Sequence, residues 1–273
     1  WKKLLFGKSF SAVVMTGDMV GSSGDYSPLV SLIKTLKQIK DVPIYLIAGD
    51  DDPTPLVATM HGNPEVLADW VRAAQGAGAL YLDRPMKLEV GKKVVWFVPE
   101  YLYSMDAAGM LDSYTHQKED MEATGQQYEG EGGASYRALC YRIEQMTDVV
   151  ATLKSMVSED LQIALSHAPL GAAYIREMIE WADADEVFNY RHLTLLLAGH
   201  YCGGQWRLGS LGPIYVPDHG WFVGDAGVVG MERVNSISQY ISGGIGASEY
   251  YPLKSRFLNA PNATLLTFTA KIE

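Results

Sequence analysis

The sequence has little of three features that would each indicate a particular class of protein. It has only two cysteines among 273 residues, Cys140 and Cys202. They are far apart, so neither a disulfide framework nor a structural zinc knuckle is supported. No run approaches the roughly 18 apolar residues of a membrane span, and no signal-peptide pattern precedes the first predicted strand. The chain is therefore predicted to be soluble as given.

Positive charge is also scarce. Lysine and arginine together number 22 against 32 aspartates and glutamates, which gives a formal net charge of −10. A protein that binds a phosphate backbone usually shows a basic face or stripe, so we expect no nucleic-acid partner. If the chain binds a smaller anion, something other than net charge must attract it.

The sequence does contain regularly spaced apolar segments, and 48% of its residues are hydrophobic. Short apolar runs alternate with stretches of helical spacing, which predicts a mixed α/β protein. Strands are predicted at 11–17, 43–49, 80–83, 87–90, 92–99, 161–167 and 193–200. Helices are predicted at 26–40, 63–78, 136–157 and 171–182, and a glycine-rich β region follows.

Residues 104–135 do not fit this alternation of strand and helix patterns. They are polar, contain Met and Gly, show weak periodicity and end in "EGEGGAS", so we interpret them as an irregular excursion or flexible cap. We find no internal repeat and no convincing linker. The economical assignment is one domain over residues 1–273 that contains two sheets.

Four predicted strands are followed by side chains that bind metals. Asp18, Asp50, His167 and His200 each come at or just after the end of an apolar run. Ligands bind at the carboxyl ends of strands in open α/β sheets, and we expect the four strands to share one sheet. Two carboxylates and two imidazoles suit zinc, manganese or iron. The pattern predicts a mononuclear or binuclear hydrolytic centre.

Each of these residues also has a structural interpretation. Asp18 would serve as a turn or helix cap, and the acidic run at 50–52 before Pro53 as an acidic turn. His167 would serve as a hydrogen-bonded core histidine. The remaining histidines follow no strong apolar run and are interpreted as surface or structural residues: His61, His116, His192 and His219.

The order and the local sequences of these segments resemble those of the calcineurin-like metallophosphoesterase family. The matching segments are "TGDMV", "AGDDDP", "SHAPL" and "GHYCGGQ", and the tail "GGQWRLGSLGPIYVP" with "ISGGIGASEYYPLKSRFLNAP" resembles a branch that includes bacterial membrane-associated phosphoesterases. The resemblance spans nearly the whole chain. It implies two mixed β-sheets packed as a sandwich and flanked by helices. It also implies hydrolysis of a phosphomonoester or phosphodiester by a hydroxide bound to one or two Mn, Zn or Fe ions.

The chain departs from the family pattern at three motifs. No Asp-x-His precedes Asp18, so either the sequence is trimmed or the motif is lost. Asp50 stands where the family has Asn, and Asp51 stands where it has the His thought to assist the leaving group. Cys202 replaces the second His of the last motif.

Carried over residue by residue, the resemblance gives one intact metal site. Asp18, Asp50, His167 and His200 would hold that metal. A second ion would need the missing Asp-x-His, a bridging Asp18 and Cys202, so that site is impaired. His200 would be required for turnover. Asp51 would act as general acid only if its carboxyl stays protonated. Cys202 would be either a thiolate ligand or a small buried hydrophobe.

Two hypotheses follow. The chain is a metal-dependent phosphoesterase, or it is a pseudoenzyme of the same fold that binds a metal or ligand. The implied partner is a small phosphate ester or a lipid headgroup, and the substrate is not revealed. Membrane association would require a segment upstream of Trp1. The resemblance implies a bacterial cytoplasmic or membrane-associated protein.

Overall fold

The structure is a computed structural model. It describes residues 2–5, 7–57, 65–126, 130–182, 186–216, 219–248 and 255–268. His61, the first two residues of the helix predicted at 63–78, and residues 249–254 of the tail lie outside the described residues.

The described residues form six α-helices and twelve strands. The helices are α1 Lys2–Leu5, α2 Ser27–Ile39, α3 Asp69–Gly76, α4 Ala107–Ala123, α5 Gly130–Leu153 and α6 Ala172–Trp181. The strands are β1 Val13–Met15, β2 Ile44–Leu46, β3 Leu80–Tyr81, β4 Met86–Val90, β5 Lys93–Pro99, β6 Leu161–Leu165, β7 Leu193–Ala198, β8 Trp206–Arg207, β9 Pro213–Val216, β10 Gly220–Trp221, β11 Gly230–Val234 and β12 Ile237–Ile241.

The first sheet has the strand order β1-β2-β3, and its described strand pairs are all parallel. Helix α2 connects β1 to β2, with Pro28 in its first turn, where the missing N–H removes no helical hydrogen bond. It buries Leu29, Ile33 and Leu36, which helical spacing places on one face, against this sheet. Helix α3 packs into the same apolar cluster.

The second sheet has the order β11-β12-β7-β6-β5-β4. Its middle strands β12, β7, β6 and β5 run parallel, and antiparallel partners β11 and β4 close its two edges. Side chains of α4, α5 and α6 cover its outer face. A third sheet is antiparallel and also has three strands, in the order β10-β9-β8.

The first and second sheets pack face to face. Tyr45 of β2 stacks on Phe97 of β5 with ring centroids 4.2 Å apart, and both side chains are buried. Ile163, Leu165 and neighbouring apolar residues from β6 and β7 complete this inter-sheet core. The layers run helix, sheet, sheet, helix, which confirms the predicted sandwich. The first sheet differs from the prediction because its pairs are parallel rather than mixed.

Two helix predictions need correction. Residues 65–68 are not helical, because Leu67 forms a bridge with Leu56 and Ala68 donates to the Pro55 carbonyl, so α3 begins only at Asp69. The segment predicted to be irregular, 104–135, contains α4 and the start of α5, which begins at Gly130 rather than at 136.

Helix α4 was missed because its sequence lacks a clear apolar stripe. Asp106 caps its first turn by accepting a hydrogen bond from the Gly109 amide at 2.9 Å, and Met110, Leu111 and Tyr114 pack against the cluster that includes Met146 of α5. Tertiary packing therefore stabilises a helix that periodicity does not predict. A role of this segment as a cap over the site stays a prediction. Within the described residues, no helix is long and apolar enough to cross a membrane.

Candidate metal centre

The four predicted ligands come together where strands of the first and second sheets end. Asp18 follows β1 and Asp50 follows β2, both in the first sheet, whereas His167 follows β6 and His200 follows β7 in the second. The expectation that the four strands share one sheet is therefore wrong. Because the two sheets pack face to face with these strand ends adjacent, each sheet contributes one pair of ligands.

The ligand atoms form a tight cluster. His167 Nε2 lies 2.7 Å from Asp50 Oδ1 and 3.1 Å from Asp18 Oδ2. His200 Nδ1 lies 3.0 Å from His167 Nε2 and 3.4 Å from Asp50 Oδ1. One ligand atom from each of the four residues falls within 4.8 Å of all the others.

Tight turns of the backbone make this convergence achievable. Asp18 and His200 both have left-handed backbone conformations, with φ of 54° and 71°, which cost free energy in non-glycine residues. Gly17, with φ of 96°, precedes Asp18; a Cβ there would lie 2.6 Å from Gly49 backbone atoms and from His167 Nδ1. Only glycine fits at position 17, because the two loops touch.

The Thr16 carbonyl fixes the orientation of His167. It accepts a hydrogen bond from Nδ1 at 2.8 Å, which leaves Nε2 facing the two carboxylates. Burial acts to lower the pKa of His167, but hydrogen bonds to Asp18 and Thr16 and the charges of Asp18 and Asp50 outweigh it and raise the pKa to about 9. Without a cation, His167 is protonated at neutral pH.

Asp50 shows the complementary effect. Partial burial raises the pKa of its carboxyl, yet the nearby His200 and His167 lower it by more, so the net shift is downward. Two carboxylates that face two imidazoles stabilise a positive charge between them. In the metal-free protein the proton on His167 supplies that charge.

The donor set fits a divalent cation. Ligands about 2.1 Å from a common zinc ion stand about 3.4 Å apart in a tetrahedron; here four of the ligand pairs are 2.7 to 3.4 Å apart, and all pairs fall within 4.8 Å. Two ring nitrogens that face each other at 3.0 Å cannot both carry a proton between them. A cation bound among the four groups would take the place of the shared proton. Asp18, Asp50, His167 and His200 together could therefore bind a metal.

The next two aspartates along the chain, Asp51 and Asp52, make different contacts. Asp51 donates its backbone N–H to Asp18 Oδ1 at 3.0 Å, so its main chain orients a ligand. Its side chain as general acid stays a prediction. Asp52 is buried, and its carboxylate accepts from the amides of Val20, Gly21 and Gly49 at 2.7, 3.1 and 2.9 Å. The acidic turn expected at 50–52 therefore includes a residue that ties the loop after β1 to the loop after β2.

Cys202 does not belong to the cluster of four. Burial raises the pKa of its thiol, and the opposing charge of Arg256 only partly offsets this. The thiol is therefore protonated at neutral pH in the metal-free protein, and its role as a thiolate ligand stays a prediction. Asn259 donates to the Cys202 carbonyl at 2.9 Å, so the tail holds this loop in place.

The tail residues that carry the family resemblance support the backbone. Arg256 donates to the carbonyls of Gly243 and Gly244, and buried Gln205 exchanges hydrogen bonds with Ser248. The role of these tail residues could not be predicted from the sequence. Their partners are carbonyls and amides, which leave no residue-type signal in a single sequence, and the same holds for the Thr16 carbonyl beside His167.

Comparisons with known proteins add little at this level of divergence. No protein-family model matches the sequence, and no curated protein matches it. Among solved structures, the chain is similar to the phosphopantetheinyl hydrolase PptH from Mycobacterium tuberculosis, with 11% sequence identity and a TM-score of 0.38. The alignment covers 93% of this chain and 88% of the hydrolase. A TM-score this low supports no inference about activity.

Proposed function

We propose that the chain is a metal-dependent phosphoesterase of the calcineurin-like type that hydrolyses a phosphomonoester or phosphodiester. The observation that supports this proposal is the convergence of Asp18, Asp50, His167 and His200 from the ends of four strands. Three of the four side chains are partly buried, whereas Asp50 is half exposed, so the cluster is open on one side to a ligand.

The residues of this chain have separable tasks in that reaction. Asp18 and Asp50 would supply negative oxygen ligands and His167 and His200 would supply nitrogen ligands, a donor set that suits Zn, Mn or Fe. The bound cation would neutralise charge on the phosphoryl group and lower the pKa of a bound water toward neutrality. The Thr16 carbonyl keeps the His167 Nε2 lone pair aimed at the cation by accepting from Nδ1. Asp51, if protonated, would supply a proton to the leaving oxygen.

Metal content and turnover together test the proposal. The wild-type protein, dialysed and then supplied with Mn²⁺, is expected to retain about one ion per chain and to hydrolyse bis(4-nitrophenyl) phosphate. His200→Ala should lose the ion and reduce kcat/KM by more than about 100-fold, since even the outer partners of metal ligands are worth ~10- to 100-fold. His192→Ala removes an exposed histidine and is the matched control. Hydrolysis that survives His200→Ala would overturn the assignment.

The second candidate is a pseudoenzyme that binds one metal without turnover. Two observations favour it: Cys202 is outside the ligand cluster, and an aspartate occupies the position of the family's leaving-group histidine. A carboxylate there repels a phosphoryl group unless it is protonated. Stoichiometric metal with no hydrolysis of aryl phosphomonoesters or phosphodiesters would select this alternative. Restored hydrolysis in Asp51→His would then identify position 51 as the cause.

A further inference from the structure

A cavity of about 450 Å³ lies beside the metal centre. Its lining includes Pro169 and Leu170, which come just after His167, and Tyr201, which comes directly after His200. The rest of the wall includes His219 and residues of the β11–β12 hairpin. This volume lies in the range of small-molecule pockets. The cavity is therefore adjacent to the position that the phosphate ester would occupy under the proposed function.

The cavity wall presents a carboxylate. Glu232 of β11 accepts a hydrogen bond from the Gly227 amide at 2.9 Å on one oxygen and from the Gln239 side chain at 2.6 Å on the other. Both donors are neutral, and within the described part of the chain no lysine or arginine pairs with this carboxylate. Successive side chains of a strand point to opposite faces, so the Arg233 guanidinium lies on the other face of β11. The cavity therefore offers a negative group that a cationic ligand can pair with.

Aromatic rings form another part of the wall and connect the cavity to the centre. The His200 and Tyr201 rings are 4.8 Å apart between centroids, and the Tyr201 and His219 rings are 4.6 Å apart, both edge to face. Tyr201 thus stands between a metal ligand and the cavity. The face of a phenol ring is electrostatically negative and attracts a cation. Aromatic rings near a carboxylate are a combination that suits an ammonium group.

The cavity walls are held together by hydrogen bonds. The fully buried Gln239 of β12 accepts from the Leu170 amide at 2.8 Å and donates to Glu232 at 2.6 Å. Asn235, in the β11–β12 turn, donates to the Ala172 carbonyl at 2.8 Å. These bonds fix the loop after His167 against the hairpin. The position of the Glu232 carboxylate relative to the metal centre is therefore set before a ligand binds.

We propose that this cavity binds the alcohol part of the substrate, and that this part carries an ammonium group. The ammonium group lies against Tyr201 and pairs with Glu232, while the phosphate ester lies at the metal centre. The inference rests on the proposed function for the position of the ester. It narrows the substrate to phosphate esters of amino alcohols, either free or as a lipid headgroup. It disfavours alcohols that carry a second phosphate, because the Glu232 carboxylate repels them.

Two esters of the same shape separate charge from size. Phosphocholine carries a trimethylammonium group, and 3,3-dimethylbutyl phosphate has a neutral carbon in place of that nitrogen. Their affinities for the Mn²⁺-loaded protein are measured by calorimetry, with phosphate release followed in parallel. The wild type should prefer phosphocholine by about tenfold. Glu232→Gln, which keeps the shape of the side chain, should reduce this preference to about threefold, because only the aromatic contact remains.

The Tyr201 ring is tested without touching the hydrogen bonds of Glu232. Tyr201→Phe keeps a ring face and should keep the preference for phosphocholine, whereas Tyr201→Leu should reduce it by about threefold. Glu177→Gln removes an exposed carboxylate from α6 and is the matched control, which should keep the wild-type preference. Hydrolysis of glycerophosphocholine or of phosphatidylcholine vesicles that falls in Glu232→Gln would support the inference and identify a free ester or a lipid headgroup as the source.

The outcomes separate this inference from the proposed function. A preference that Glu232→Gln reduces, without hydrolysis of any of these esters, would support the cavity and contradict the hydrolase. Equal affinity for phosphocholine and its neutral analogue, or an unchanged preference in Glu232→Gln, would overturn the cavity inference. Hydrolysis of the esters in that case would leave the hydrolase intact. Failure of the wild-type protein to bind either soluble monoester also overturns the cavity inference.

Discussion

At the scale of single residues, Asp52 lies outside the ligand set but connects the two loops that carry Asp18 and Asp50. Its buried carboxylate accepts three backbone N–H groups from the loops that carry Asp18 and Asp50. Asp52→Ala would leave these amides without their acceptor, and we expect a loss of about 3 kcal/mol in the free energy of unfolding. Urea denaturation measures it. Asp41→Ala, which removes an exposed ion pair with Lys37, is the control and should leave the free energy of unfolding nearly unchanged.

The protonation of His167 makes the stability of the metal-free protein depend on pH. Its pKa is raised from 6.5 to about 9, so its contribution is fully present below pH 6.5 and is lost as the pH rises through about 9. In EDTA, the free energy of unfolding of the wild type should fall relative to that of His167→Gln between pH 7 and 10. The two urea midpoints, followed against pH, give this difference. Parallel curves would contradict the raised pKa.

The same proton predicts a linkage with metal binding. A cation needs the neutral imidazole, so binding near neutral pH must release a proton and affinity must rise with pH. Calorimetry in buffers of different ionisation enthalpy would count the protons released.

The metal ligands could be predicted from the sequence, but the groups that hold those ligands in position could not. The four side chains could be found because each ends an apolar run, and strand ends meet at one edge of a fold. The roles of Asp52 and of the Thr16 carbonyl could not be found, because both depend on which loop lies opposite, and that is a tertiary fact. His219 was interpreted as a surface residue, and it is indeed exposed, but its neighbour Tyr201 becomes visible only in the structure.

At the scale of secondary structure, elements with strong patterns were predicted and elements stabilised by context were not. Helix α2 has three buried residues at helical spacing, and it appears where periodicity places it. Helix α4 has Ala107 as its only fully buried residue among those described. Its stability comes from packing on α5 and from its first turn, and neither signal is periodic.

The N-cap of α4 is therefore expected to matter for that element alone. Asp106 accepts from the Gly109 amide at 2.9 Å, and Asp106→Ala should cost about 1 kcal/mol. Amide hydrogen exchange should speed up in the first turn of α4 by about fivefold and stay unchanged in β6 and β7. Glu119→Ala, an exposed change in the same helix, is the control. Equal exchange in the two variants would show that the cap is not used.

At the scale of the whole molecule, the metal centre depends on the packing between two sheets. The first sheet carries the carboxylates and the second carries the imidazoles, so the distance from His167 to Asp18 and Asp50 reports the distance between the sheets. The sequence could not predict this division, because strand pairing across long connections leaves no local pattern. We therefore expect apolar contacts far from the ligands to affect the geometry of the centre.

Phe97 tests this dependence. It stacks on Tyr45 across the inter-sheet core and is 4% exposed, so Phe97→Ala should reduce the free energy of unfolding by about 3–5 kcal/mol. Because the sheets can then shift, Mn²⁺ affinity should also fall, although no ligand is changed. Val90→Ala, at the exposed end of β4, should alter neither quantity. If Phe97→Ala lost stability but kept the wild-type Kd for Mn²⁺ well below its unfolding midpoint, the loops rather than the sheets would position the ligands.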